Sequence, residues 1–171
     1  MIHVRPMPSE CSLFPELSDT DYFDTYEAPL RRGDLRPDQL YREIMRAAPR
    51  WITLLMAVRD SIVQWFNIKK VGQLGSEMKS DDSPPIPGTR IDIFTVRRIT
   101  DDEIVVGEDD SHLNFSLSLL KFRENGNQKI AFSTVVKVNN PIGKAYLLTI
   151  LPFHKIIART MLASAIREGR I

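Results

Sequence analysis

The spacing of apolar residues changes period once, near Asn140, and that change constrains the fold more than any other feature of the chain. Before it, residues 113–122 and 129–139 alternate apolar and polar side chains. After it, an apolar and cationic stretch runs through residues 141–167. A period of two suits a strand with unlike faces, and spacings of three and four suit a helix. The C-terminal third therefore reads as antiparallel strands followed by one long packed helix.

The upstream sequence extends this pattern. Tyr22, Asp24 and Tyr26 alternate with Phe23, Thr25 and Glu27, and Pro29 closes a short first strand. Arg31, Arg32, Gly33 and Asp34 make a turn, Pro37 opens a helix carrying Leu40, Ile44 and Ala47, and Pro49 stops it. Residues 50–68 place Trp51, Leu55, Val58, Ile62 and Trp65 on one helical stripe, which Ile52, Met56 and Val63 widen. Residues 69–90 hold Gly72, Gly75, Gly88, Pro84, Pro85 and Pro87 without periodicity, as a long mobile loop able to gate a pocket would. Strands resume at 91–98 and 103–107, and Asn125-Gly126 supplies a tight hairpin turn between the last two. Five strands are expected. Residues 1–20, polar and rich in Pro and Ser, read as a loosely held lead-in to a single domain over 21–171.

Composition removes several classes of function. With 23 basic and 22 acidic residues the net charge is +1, so no global field attracts nucleic acid. Cys11 stands alone, which rules out an internal disulfide and fits a reducing compartment. The first 30 residues contain no apolar stretch of signal-peptide length, and the run 145–153 is too short to span a bilayer. A cytoplasmic protein without an integral membrane segment is expected. No phosphate loop or nucleophile motif occurs, and no cofactor is implied.

Gly107-Glu108-Asp109-Asp110 with His112-Leu113, then Thr134-Val135-Val136, Asn139, Gly143, Tyr146 and Pro152-Phe153-His154, resemble an uncharacterised bacterial family placed in the START-like helix-grip (SRPBCC) superfamily. That superfamily also includes polyketide cyclases and plant pathogenesis-related ligand binders. The resemblance covers residues 21–165 and implies an α+β fold, a curved antiparallel sheet around a long C-terminal helix, with two helices inserted after the first strand. It also implies that a small hydrophobic or lipid-like amphipathic ligand binds in an apolar cavity between sheet and helix. Helix grips commonly have six or seven strands, so a sheet of five would leave an edge for a partner chain.

The expected lining is Trp51, Leu55, Phe94, Phe115, Leu117, Phe132, Tyr146 and Phe153, with His112, Thr134 and His154 as polar contacts. Each has a plainer reading. Asp109, Asp110 and His112 suit a solvated turn, and they lack the further ligands of a metal site. His154 follows Pro152, which could kink the helix and turn the imidazole inward, or else it faces water beside Lys155. Ser116, Ser118, Ser133 and Thr134 suit the wet row of a one-sided sheet. The helix 141–167 is ordinary core packing first and a peripheral membrane face second. Two other functions compete with ligand binding: acid-base catalysis of cyclase or dehydratase type through His112 or His154, and self-association as a homodimer through an open sheet edge.

Overall fold

The structure, a computed structural model, describes residues 2–52, 54–55 and 83–171. Among them seven strands form one antiparallel sheet in the order β1-β2-β7-β6-β5-β4-β3. They are β1 (His3–Val4), β2 (Tyr22–Pro29), β3 (Arg90–Ile91), β4 (Phe94–Ile99), β5 (Glu103–Asp109), β6 (Leu113–Glu124) and β7 (Asn127–Val138). Helix α1 (Pro37–Arg46) follows β2, and helix α2 (Pro141–Arg167) follows β7 and packs on β2, β7 and α1. This is the expected α+β, helix-grip arrangement. Residues 50–52 and 54–55 are helical, as the second inserted helix requires. The rest of its stripe, Val58, Ile62 and Trp65 with Met56 and Val63, lies outside the described residues, as does the loop over 69–82.

Two strands were not expected, and each has a local cause. β1 comes from the N-terminal lead-in and pairs with β2 through His3↔Glu27 and Val4↔Tyr26. β3 is cut from β4 because Asp92 takes φ 54, in the left-handed region, which breaks the run 91–98. Both edges of the sheet are thus two-residue strands of the same chain, which shortens the ladder open to a partner. At the β6–β7 hairpin Asn125 (φ 51) and Gly126 (φ 77) both have positive φ, the turn that the right-handed twist of a hairpin favours.

The inner face of the sheet carries the main core. Ala28, Ile130, Phe132, Leu117, Leu119, Ile104, Val106 and Val96 meet Leu40, Tyr41 and Ile44 of α1 and Ala158, Met161, Leu162 and Ala165 of α2. α1 starts as its sequence dictates, with Pro37 at the first turn and the Arg36 amide donating to Gln39 Oε1 at 3.0 Å.

The outer face is covered too, which corrects the picture of a loosely held lead-in and a wet serine row. Met7, Cys11 and Leu13 pack on Val105, Leu120, Ala131 and Val135. β5, β6 and β7 carry apolar or small residues on both faces, so the second face also needs a cover. Under it, buried Glu103 accepts hydrogen bonds from the Ser12 amide and hydroxyl and from the Ser118 hydroxyl. The Thr25 and Ser133 hydroxyls bond to each other at 3.0 Å. Ser116, Ser118 and Ser133 do face outward, but they are buried. Thr134, one residue on from Ser133, faces inward.

α2 runs unbroken through Pro152. By length and composition alone it could cross a bilayer, which the run 145–153 by itself did not suggest. Its buried residues Gly143, Leu147, Ala158, Met161, Leu162, Ser164 and Ala165 instead gather on one side of the helix, and Ala158, Met161, Leu162 and Ala165 join the inner-face core. The helix is anchored at its start: a Cβ on Gly143 would lie 2.0 Å from the His112 carbonyl oxygen. Gly143→Ala is therefore expected to lower unfolding free energy by about 1–3 kcal/mol, through displaced backbone, in denaturant melts.

Candidate functional site

On β2 the period of two puts Tyr22, Asp24 and Tyr26 on the inner face, beneath the middle of α2. His154 reaches down from the helix, its Nε2 3.4 Å from Asp24 Oδ1 and 3.3 Å from Oδ2. Helical phase does this without a kink, since His154 falls on the same side as Gly143, Leu147, Ala158 and Met161. The Tyr22 hydroxyl donates to Asp24 Oδ2 at 2.6 Å, and its ring meets the imidazole edge-on at 6.1 Å. Lys155 Nζ lies 5.9 Å over the Tyr22 ring, and the Arg159 guanidinium lies 5.4 Å over that of Tyr26.

The electrostatics of this cluster follow from its partners. Burial alone would raise the Asp24 carboxyl, but hydrogen bonding to His154 and to the tyrosine hydroxyls outweighs it and holds the group below the usual aspartate range. Burial, together with the adjacent carboxylate, pushes the Tyr26 phenol up to about 12 against the pull of Arg159. Tyr22 is raised for the same reasons, burial first. Both phenols therefore stay protonated donors at neutral pH. His154 spends Nε2 on the carboxylate, and among the described residues its Nδ1 has no hydrogen-bond partner.

The sheet register sets what lies beside the cluster. Asp24 pairs with Thr134, Thr134 with Leu117, Leu117 with Val106 and Val106 with Val96. One row across the inner face thus grades from a carboxylate to aliphatic side chains. Thr134 Oγ1 in that row is buried and has no hydrogen-bond partner among the described residues, and the same holds for Tyr41 Oη on α1. An unpaired buried hydroxyl costs about 1–3 kcal/mol.

Of the residues expected to contact a ligand, Phe94, Phe115, Leu117, Phe132, Thr134 and His154 share this inner side. Leu117 and Phe132 are buried, while Phe94 and Phe115 are half-buried with ring centroids 5.2 Å apart. Tyr146 and Leu55 are half-buried. Trp51 and Phe153 are 41% and 51% exposed, so much of each ring faces solvent. His112 stands away from the cluster: its Nδ1 is 3.2 Å from Asn140 Oδ1, and that oxygen accepts from the Gly143 amide at 2.9 Å to cap α2. Asp110 Oδ1 accepts from the His112 amide, and Asp109 pairs with Arg97 at 2.6 Å. The acidic turn thus clamps the helix start. A cavity of about 240 Å³ opens on the opposite, outer face of the sheet, lined by Glu16, Asp19, Arg97, Asn114, Ser116, Val135 and Lys137.

Sequence reasoning missed Asp24, Tyr22, Tyr26 and Arg159. The signal was present in β2, where three residues able to hydrogen-bond fall on one face. Because the Asp24 carboxyl is depressed in the folded state, its stabilisation is complete above the ordinary aspartate range and is lost as pH falls through the folded value. In denaturant melts across pH, wild type is expected to lose stability below about pH 4 more steeply than Asp24→Asn.

No curated protein matches this chain. Residues 17–161 match the family described as protein of unknown function (DUF2867), and the chain belongs to that family.

Proposed function

We propose that the chain binds a small amphipathic molecule between the sheet and α2, its polar end at His154 and Asp24 and its apolar body over Thr134, Leu117, Phe115 and Phe94. The observation that carries this is the Asp24–His154 pair set opposite a buried Thr134 hydroxyl that no group among the described residues satisfies. A ligand oxygen or nitrogen would pair that hydroxyl and reach the open Nδ1 of His154, and half-buried aromatic rings would cover the rest. The resemblance to START-like helix grips supports the same reading, as does the helix seated across the sheet. A cytoplasmic setting belongs to it, with buried, unpaired Cys11 as its support.

A second reading has a specific observation in its favour. An imidazole oriented by a carboxylate at one nitrogen and open at the other is arranged to take a proton from a bound molecule and return it. The phenols of Tyr22 and Tyr26 beside it are donors for developing negative charge. This is acid-base chemistry of cyclase or dehydratase type, with His154 as the proton carrier and His112 left to its capping role.

Native mass spectrometry of freshly purified protein is expected to show a retained small molecule, and a ligand-free mass for wild type would sink the binding reading. Thr134→Val is expected to gain about 1 kcal/mol of stability by removing the orphan hydroxyl, while retaining less ligand. His154→Gln should fold and also retain less. Recovery of the bound molecule chemically altered by wild type but unaltered by His154→Gln would select the second reading over simple binding.

A further inference from the structure

α2 has a second face that the sheet does not use. Opposite its buried stripe, Ile142, Ala145, Leu148, Pro152, Phe153 and Ile156 recur at spacings of one, three and four and are all exposed. The exposures of Ile142, Leu148 and Ile156 are 49%, 62% and 56%, large for aliphatic side chains on one helix. The helix contains Lys144, Lys155, Arg159 and Arg167 and no Asp or Glu. At 100° per residue, Lys144, Lys155 and Arg159 line one flank of the apolar stripe.

This charge pattern discriminates between occupants. A second copy of the chain, pairing α2 against α2 about a two-fold axis, would bring both sets of cations together with no carboxylate on either helix to offset them. A spanning orientation would put Lys155 and Arg159 deep in hydrocarbon and strip away the β2 and β7 contacts of the buried stripe. An anionic surface meets both needs, because the apolar side chains enter the headgroup boundary while Lys144 reaches phosphates beside them and Lys155 and Arg159, held over the Tyr22 and Tyr26 rings, add positive potential on the same flank. The chain as a whole is near neutral at +1, so the attraction is local to this face.

We propose that the outer face of α2 docks on an anionic lipid surface, with the helix axis in the membrane plane. The buried side, with His154 on Asp24, stays on the sheet, so docking does not depend on the ligand reading above.

The test is co-sedimentation of the full chain with vesicles of mixed phosphatidylcholine and phosphatidylglycerol. Binding is expected, reduced by high salt and much weaker on pure phosphatidylcholine. Lys144→Gln, an exposed change that removes one charge, should weaken it about fivefold. Leu148→Ser with Ile156→Ser should weaken it about tenfold or more, with an unchanged circular dichroism spectrum. A wild-type protein left in the supernatant overturns the proposal. So does binding that neither variant reduces, or a dimer in sedimentation that the double variant dissolves.

Discussion

The seat of α2 on the sheet is the constraint on which the rest of the structure depends. Its first turn is held where Asn140 caps the Gly143 amide, His112 supports Asn140, and the missing side chain of Gly143 lets the helix touch the His112 carbonyl. Beyond its other end Arg170 reaches Glu43 of α1 at 2.9 Å. Between these anchors Ala158 and Ala165 are small enough to let the helix lie close to the core. With both ends held, helical phase leaves no choice about His154. It falls on the buried side, directly over the polar residues of β2.

Cover on both faces of the sheet separates structural polarity from polarity still open to other work. On the outer face, Glu103, Ser12, Ser118, Thr25 and Ser133 satisfy one another beneath the N-terminal segment. On the inner face, the polar groups gather at the β2 edge and grade into an aliphatic row across β7, β6, β5 and β4. There the pairing among the described residues is incomplete: Thr134 and Tyr41 hold buried hydroxyls without partners in that set. Buried polar groups are usually satisfied, so these two positions are where binding or chemistry has a physical opening.

The two histidines show how tertiary placement assigns roles that residue type leaves open. His112 and His154 are equivalent to a sequence reader, each near charged or polar neighbours. In the fold one braces a helix cap, and the other meets a depressed carboxylate. The lead-in teaches the same lesson in reverse. Met7, Cys11 and Leu13 sit in a polar, proline-broken segment with no period, yet they are buried because β5 to β7 need cover on their second face.

Much of the architecture was written locally. Alternation in β2, β4, β6 and β7, Asn125-Gly126 at the hairpin, Pro37 and Pro49 around α1, and the change of period at Asn140 are all local steric preferences, so the sequence by itself determined these elements and the antiparallel β6–β7 hairpin, while the seat of β2 beside β7 is a contact between distant segments. β1 and the break at Asp92 escaped it, since a two-residue strand has no period and a positive φ at aspartate follows from packing. Only the tertiary structure decided which faces were covered, that Asp24 meets His154 across 130 residues of chain, and that Thr134 lies buried without a partner among the described residues. Those are contacts between elements, and they depend on how helix, sheet and lead-in dock, which no local spacing encodes.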